Sequence, residues 1–182
     1  MKEEFMKSTG IIRRIDNLGR IVIPKEIRNT LKIRDGESLE IYVSNGEEIV
    51  LKKYSLVSNL KEIAENYVDS VYNLIRYNIF ITDRDTIIAA AGSLKKDYID
   101  QSLSSYLIDV MERRETIVEK FSHEFAMTET QSESEPHIIV PIVANGDVVG
   151  SILMLCPEGK LTELEEKIMK VAGIFLGKYI EQ

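Results

Sequence analysis

KSTGIIRRIDNLGRIVIPKEIRNTLK, residues 7–32, gathers positive charge in a chain that is acidic elsewhere. From Lys7 to Arg34 there are eight basic residues, Lys7, Arg13, Arg14, Arg20, Lys25, Arg28, Lys32 and Arg34, against two acidic ones, Asp16 and Glu26. The local balance is +6, inside a protein of net charge −7. The pattern predicts two short strands, Ile11 to Ile15 and Arg20 to Ile23, rich in β-branched residues and joined by the turn formers Asp16, Asn17 and Gly19. Pro24 suits the first position of a helix, where its missing N–H costs nothing. Beyond it, Ile27 and Leu31 lie four apart on one face, while Lys25, Arg28 and Lys32 share another. The expected helix buries one side and presents a basic stripe on the other.

Phosphates suit such a stripe, because Lys and Arg near a nucleic-acid backbone release condensed counterions and Arg also reads guanine edges. DNA is the first candidate partner. The competing reading is a solvated basic face balanced by acids elsewhere in the fold.

The wording of the sequence goes further than its charge. Lys7 to Asp16 (KSTGIIRRID), Leu18 to Pro24 (LGRIVIP), Glu26-Ile27-Arg28, Leu39 to Val43 (LEIYV) and Leu51-Lys52-Lys53-Tyr54 closely resemble the amino-terminal DNA-binding domain of the AbrB family of bacterial transition-state regulators. Along its whole length, through Lys95-Lys96-Asp97-Tyr98 and Pro141 to Asp147 (PIVANGD), the chain is similar to larger family members that join this domain to a GAF-like one. The resemblance implies a regulator of late sporulation genes, activator or repressor according to promoter. It also implies that two chains interleave their hairpins into one swapped-hairpin barrel, doubling the basic surface and favouring pseudo-palindromic sites. The family's DNA-contacting arginines fall on Arg13, Arg14, Arg20 and Arg28, with Lys25, Lys32 and Lys7 as further cationic candidates. Asn29, which brings no charge, stands where many relatives carry a second arginine.

Composition sets independent bounds. A chain of 182 residues, 44% apolar and 29% charged, reads as one large or two small globular domains. No run approaches the roughly 18 apolar residues of a membrane helix, and the start Met1-Lys2-Glu3-Glu4 does not read as a signal peptide, so a cytoplasmic, nucleoid-associated protein is expected. The single cysteine, Cys156, reads as a packed strand residue, and His123 and His137 form no metal-ligand pattern with it. Residues 1–53 carry 11 basic and 9 acidic side chains, net +2, whereas residues 54–182 carry 12 and 21, net −9. DNA contact is therefore expected of the first part.

The expected organisation is α+β. The swapped-hairpin domain occupies 1–53, a linker 54–59, and a GAF-like domain with an antiparallel sheet and flanking helices 60–182. In the first domain Leu39 to Val43 alternate, Asn45-Gly46 signals a hairpin, and Glu48 to Lys53 return. About fifty residues make a marginal core, for which dimerisation is a common remedy. In the second, helices are predicted for Leu60–Arg76, Tyr98–Arg113 and Leu161–Glu181, strands for Ile79–Thr82, Thr86–Ala91, Thr116–Phe121, His137–Val143 and Asp147–Cys156, and a polar, acidic loop for Thr128–Glu135, read as flexible in preference to one that closes over a pocket. The stripe Leu164, Ile168, Val171, Phe175, Tyr179 reads either as a seam between subunits, giving a homotetramer, or as the helix covering its own sheet.

No catalytic constellation is present: neither a Gly-rich phosphate loop nor a nucleophile elbow nor a paired-His motif occurs, so no enzyme, cofactor or metal is expected. An unidentified small-molecule effector in the GAF-like domain remains open, on domain type alone. The rival class is an antitoxin, since antitoxins share the amino-terminal domain type. Those usually carry a short disordered tail instead of a second folded domain.

Overall fold

The computed structural model describes residues 9–44, 48–54 and 61–181. The chain divides into two compact units, Met1–Tyr54 and Ser55–Gln182.

In the first unit α1 (Lys25–Thr30) is followed by β1 (Leu39–Ser44) and β2 (Glu48–Lys53), an antiparallel pair in the register Leu39↔Lys53 to Ser44↔Glu48. Turn residues 45–47, with the expected Asn45-Gly46, lie outside the described residues. The strands expected at Ile11 to Ile15 and Arg20 to Ile23 do not form within one chain; among the described residues both segments lack a ladder partner. What the segment does form is the reversal between them, closed by Asp16 N–H to Arg20 O and Gly19 N–H to Asp16 O, both 3.0 Å. Gly19 has φ +76°, a conformation a side chain would strain.

None of the described residues in this unit is buried. Ile12 is 86% exposed, Val22 73% and Val43 72%. Leu31, expected on the buried face of α1, is exposed as well. Segments without ladder partners and apolar side chains without cover thus fall in the same unit, whose described residues close no core of their own.

The second unit closes its own core. Its sheet runs β4-β3-β9-β8-β5, built from β3 (Asn78–Thr82), β4 (Ile87–Ala91), β5 (Ile117–Glu119), β8 (His137–Ala144) and β9 (Asp147–Leu155), and is antiparallel throughout. The period-2 alternation of a strand sorts its side chains to two faces. Ile79, Ile81, Ile138, Val140, Ile152 and Met154 face α2 (Lys61–Ile75) and α5 (Glu163–Ile180). Phe80, Ile139, Leu153 and Leu155 face α3 (Lys95–Tyr98) and α4 (Ser105–Arg113). Covered on both sides, β3 and β4 are almost continuously buried. The Asn145-Gly146 turn between β8 and β9 forms as expected, with both residues at positive φ, +50° and +82°.

Three expectations need correcting. The helix predicted over Tyr98–Arg113 is broken, because Ser102 and Leu103 bridge to Thr86 and Thr128 and Asp100 turns left-handed at φ +62°. Ser104 then caps α4, accepting from Leu107 N–H at 3.2 Å while donating to Ala126 O at 2.6 Å. Lys95 and Lys96, which lie outside every element predicted above, open the single turn of α3. The acidic run Thr128–Glu135 is not a flexible loop: β6 (Phe125–Ala126) pairs with β7 (Ser132–Glu133), Thr128 is buried with its Oγ1 accepting from Gln131 N–H at 3.0 Å, and Tyr98 OH donates to Glu133.

His137, read as uninformative, opens β8 fully buried, its ring 3.8 Å from that of Phe125 and Nδ1 3.0 Å from Glu135 O. Burial is the main cause that pushes its pKa below the ordinary value, opposed by the Glu135 carbonyl and by Glu119, with His123 adding to the depression. A neutral imidazole is thus favoured in the fold. Its contribution to stability is complete above the unfolded pKa of about 6.5 and shrinks as pH falls below it, because the unfolded chain then takes up the proton more readily. Denaturant titrations at about pH 7.5 and about pH 5.5 should show wild type losing more stability on acidification than His137→Gln. Equal losses would remove His137 from the account.

Candidate nucleic-acid interface

The Asp16–Arg20 loop is built by one carboxylate. Asp16 Oδ1 accepts from the N–H groups of Leu18 (2.9 Å) and Arg20 (2.8 Å), and Oδ2 accepts from Arg20 Nε at 2.8 Å. The Arg20 N–H first, then its side chain, hold the Asp16 carboxyl below the usual carboxylate range. Arg20 stays largely in solvent.

Arg28 sits on the single-turn helix that Pro24 caps, with its N–H donating to Pro24 O at 3.0 Å. Its guanidinium pairs with Asp35, and its Nε is buried with no hydrogen-bond partner among the described residues. Lys25 lies exposed on the same helix. The expected stripe Lys25, Arg28, Lys32 is shorter than the sequence implies. The helix ends at Thr30, Leu31 caps it, and Lys32 turns left-handed at φ +53°, off the helical face. Its carbonyl accepts from Lys53 Nζ at 3.0 Å, and Lys53 and Arg34 both lie 3.6 Å from Glu37, which ties the end of the helix to β2.

Arg13 and Arg14 are exposed, Arg13 Nη1 reaching Ile12 O at 3.0 Å. Lys7 lies outside the described residues. The acidic partners Asp35 and Glu37 carry no warning in local pattern. Asp16 does, four residues before Arg20, although its sequence reading was only that of a turn former.

Residues 59–181 match the family model described as "Stage V sporulation protein T C-terminal, transcription factor". Stage V sporulation protein T of Bacillus subtilis is 42% identical over 178 residues, covering 97% of this chain and 100% of that one. The chain belongs to the stage V sporulation protein T family. Residues 12–58 match a second model, "Antidote-toxin recognition MazE, bacterial antitoxin". The Bacillus subtilis transition state regulatory protein AbrB is 62% identical over 50 residues, 28% of this chain and 51% of that protein. In the stage V sporulation protein T family fold, the second unit resembles the GAF domain of a Coxiella burnetii phosphoenolpyruvate-protein phosphotransferase, with a TM-score of 0.56 at 17% identity over 66% of this chain and 82% of that one. The architecture expected of both parts, an AbrB-like region followed by a GAF-like antiparallel sheet with helices, is thereby found.

Proposed function

We propose that this chain is a DNA-binding regulator of late sporulation genes whose first unit works as an intertwined homodimer. Arg13, Arg14, Arg20 and Arg28 grip the duplex, and Lys25, Lys32 and Lys7 add phosphate contacts. The observation that carries the reading is the pairing of a cationic surface with an unclosed core in the same fifty residues. Ile12, Val22, Val43 and Ile49 are exposed while Arg13, Arg14, Arg20 and Lys25 stand beside them in solvent. A second copy supplies the missing cover and, by two-fold symmetry, a second set of cations at a fixed spacing. The acidic remainder of the chain, net −9 over residues 54–182, is repelled by DNA and leaves the contact to the first unit. Such a protein works in the cytoplasm, on the nucleoid. Genome-wide mapping of occupied DNA during sporulation tests the reading: enrichment at late sporulation promoters is expected, and uniform occupancy would end it.

The second unit supports a further level of assembly. α5 covers its own sheet with Met169, Ala172 and Leu176, while Leu164, Val171, Ile174 and Phe175 face solvent. Of the stripe read in the sequence, Leu164, Val171, Phe175 and Tyr179 are exposed and do not cover the sheet, which supports its reading as the seam that joins dimers into a homotetramer. Val171→Glu with Ile174→Glu should halve the mass measured by light scattering and leave melting nearly unchanged, since neither makes a ring contact within the unit as Phe175 does with Tyr67; an unaltered mass would refute the seam. Regulation by a small molecule in this unit belongs to the same proposal. A metabolite that alters operator affinity must bind the two arrangements of the heads unequally.

The antitoxin reading rests on the match over residues 12–58. A folded second unit with its own core, in place of a short tail, favours the regulator.

A further inference from the structure

Carboxylates hold Arg20 and Arg28 in unlike ways. Asp16 is anchored by two backbone N–H groups, those of Leu18 and Arg20, so its position is set by the loop backbone and not by the Arg20 guanidinium. It engages only Nε, and the two terminal nitrogens of Arg20 have no hydrogen-bond partner among the described residues. Asp35 is 93% exposed and, among the described residues, its carboxylate has no partner other than Arg28.

We propose that Asp16 is a positioning residue that presents Arg20 end-on to a guanine edge, making Arg20 the base reader, while Arg28 exchanges Asp35 for a DNA phosphate. This rests on the DNA-binding reading above and divides its arginines by role. A guanidinium held through Nε keeps both terminal nitrogens free, and these match the O6 and N7 acceptors of guanine. Immobilising a long side chain before contact removes ordering cost from the binding step. The Asp16 charge also cancels much of the attraction between Arg20 and phosphate, so the pair favours a base edge over the backbone. Arg28 has the opposite arrangement: its carboxylate is solvated and held by nothing else, so a phosphate replaces it at little loss.

The experiment uses the full-length protein, a duplex selected by it from a random-sequence library, and a scrambled duplex of the same length and composition, at one salt concentration. Asp16→Asn keeps an oxygen for the Leu18 and Arg20 N–H groups but sets an amide donor against Arg20 Nε. Affinity for the selected duplex is expected to fall about tenfold, while affinity for the scrambled duplex stays level or rises. Arg20→Lys, which retains charge and loop but not the fork, should lower the ratio in the same way. Asp16→Asn added to Arg20→Lys should change the ratio no further, since Asp16 acts only through Arg20. Asp35→Asn should strengthen both duplexes by the same factor.

An unchanged ratio in Asp16→Asn or in Arg20→Lys would overturn the assignment, as would equal weakening on both duplexes or full additivity in the double variant. Failure of the wild type to distinguish the duplexes is a different result, which removes the DNA-binding reading itself.

Discussion

With Arg13, Arg14, Arg20 and Arg28 all replaced by alanine, operator binding should fall about a thousandfold or more at about 0.1 M salt, without loss of the folded dimer. In the proposed dimer each arginine is presented twice, so the substitution removes charge from both half-sites at once. The plot of log affinity against log salt should flatten by about one unit for each phosphate that is no longer neutralised. Folding should survive because Arg13, Arg14 and Arg20 are exposed and Arg28 is only half-buried. The ion pairs of Arg20 with Asp16 and of Arg28 with Asp35 lie at the surface, where such pairs add little to stability. Gel-shift titrations across a salt series, with circular dichroism on the same samples, measure both quantities. Affinity retained at every salt concentration would show that the duplex is held elsewhere.

Gly177→Ala should lower the stability of the second unit by about 3 kcal/mol, which corresponds to a melting temperature lower by roughly 10 °C. The helix α5 approaches β8 so closely here that an added Cβ would lie 2.1 Å from the carbonyl oxygen of Val143. That atom is strand backbone, one residue before the end of β8, and cannot swing aside as a side-chain tip does. The helix must lift, loosening Met169, Ala172 and Leu176 from the sheet they cover. Gly173, one turn earlier, meets Val140 at 2.8 Å and makes the same demand on a side chain. Lys178→Ala, on the solvent face one residue further on, should leave melting almost unchanged and serves as the control. A Gly177→Ala protein that melts within a degree or two of wild type would mean that α5 does not rest on β8 through this contact.

The helices α2 and α5 were legible because their apolar residues recur at helical spacing over fifteen or more positions, and the β8–β9 hairpin because Asn-Gly tolerates the two positive φ values its turn needs. The break before α4 was not, since Ser102 and Leu103 bridge to Thr86 and Thr128, 16 and 25 positions away in sequence, and those bridges draw the chain out of a helix at residues 99–104. The acidic run at residues 128–135 misled for a related reason. Its order comes from Tyr98 and Ser104, which reach Glu133 and Ala126 from α3 and from the cap of α4.

For the candidate site, residue chemistry and spacing marked the basic segment and placed Arg20 after a turn and Arg28 on a helix, whereas the resemblance to the AbrB family is what singled out Arg13, Arg14, Arg20 and Arg28 within it. By itself the sequence determined where the positive charge lies, which helices carry an apolar face, and the alternation that builds a two-faced sheet. These are properties of consecutive residues, written in charge and period. The tertiary structure alone decided that Asp35, seven positions on, holds Arg28, that the helix stops before Lys32, and that α5 turns Met169 inward and Val171 out. Each of those depends on how far the backbone travels between residues distant in the chain, a quantity that no local pattern carries.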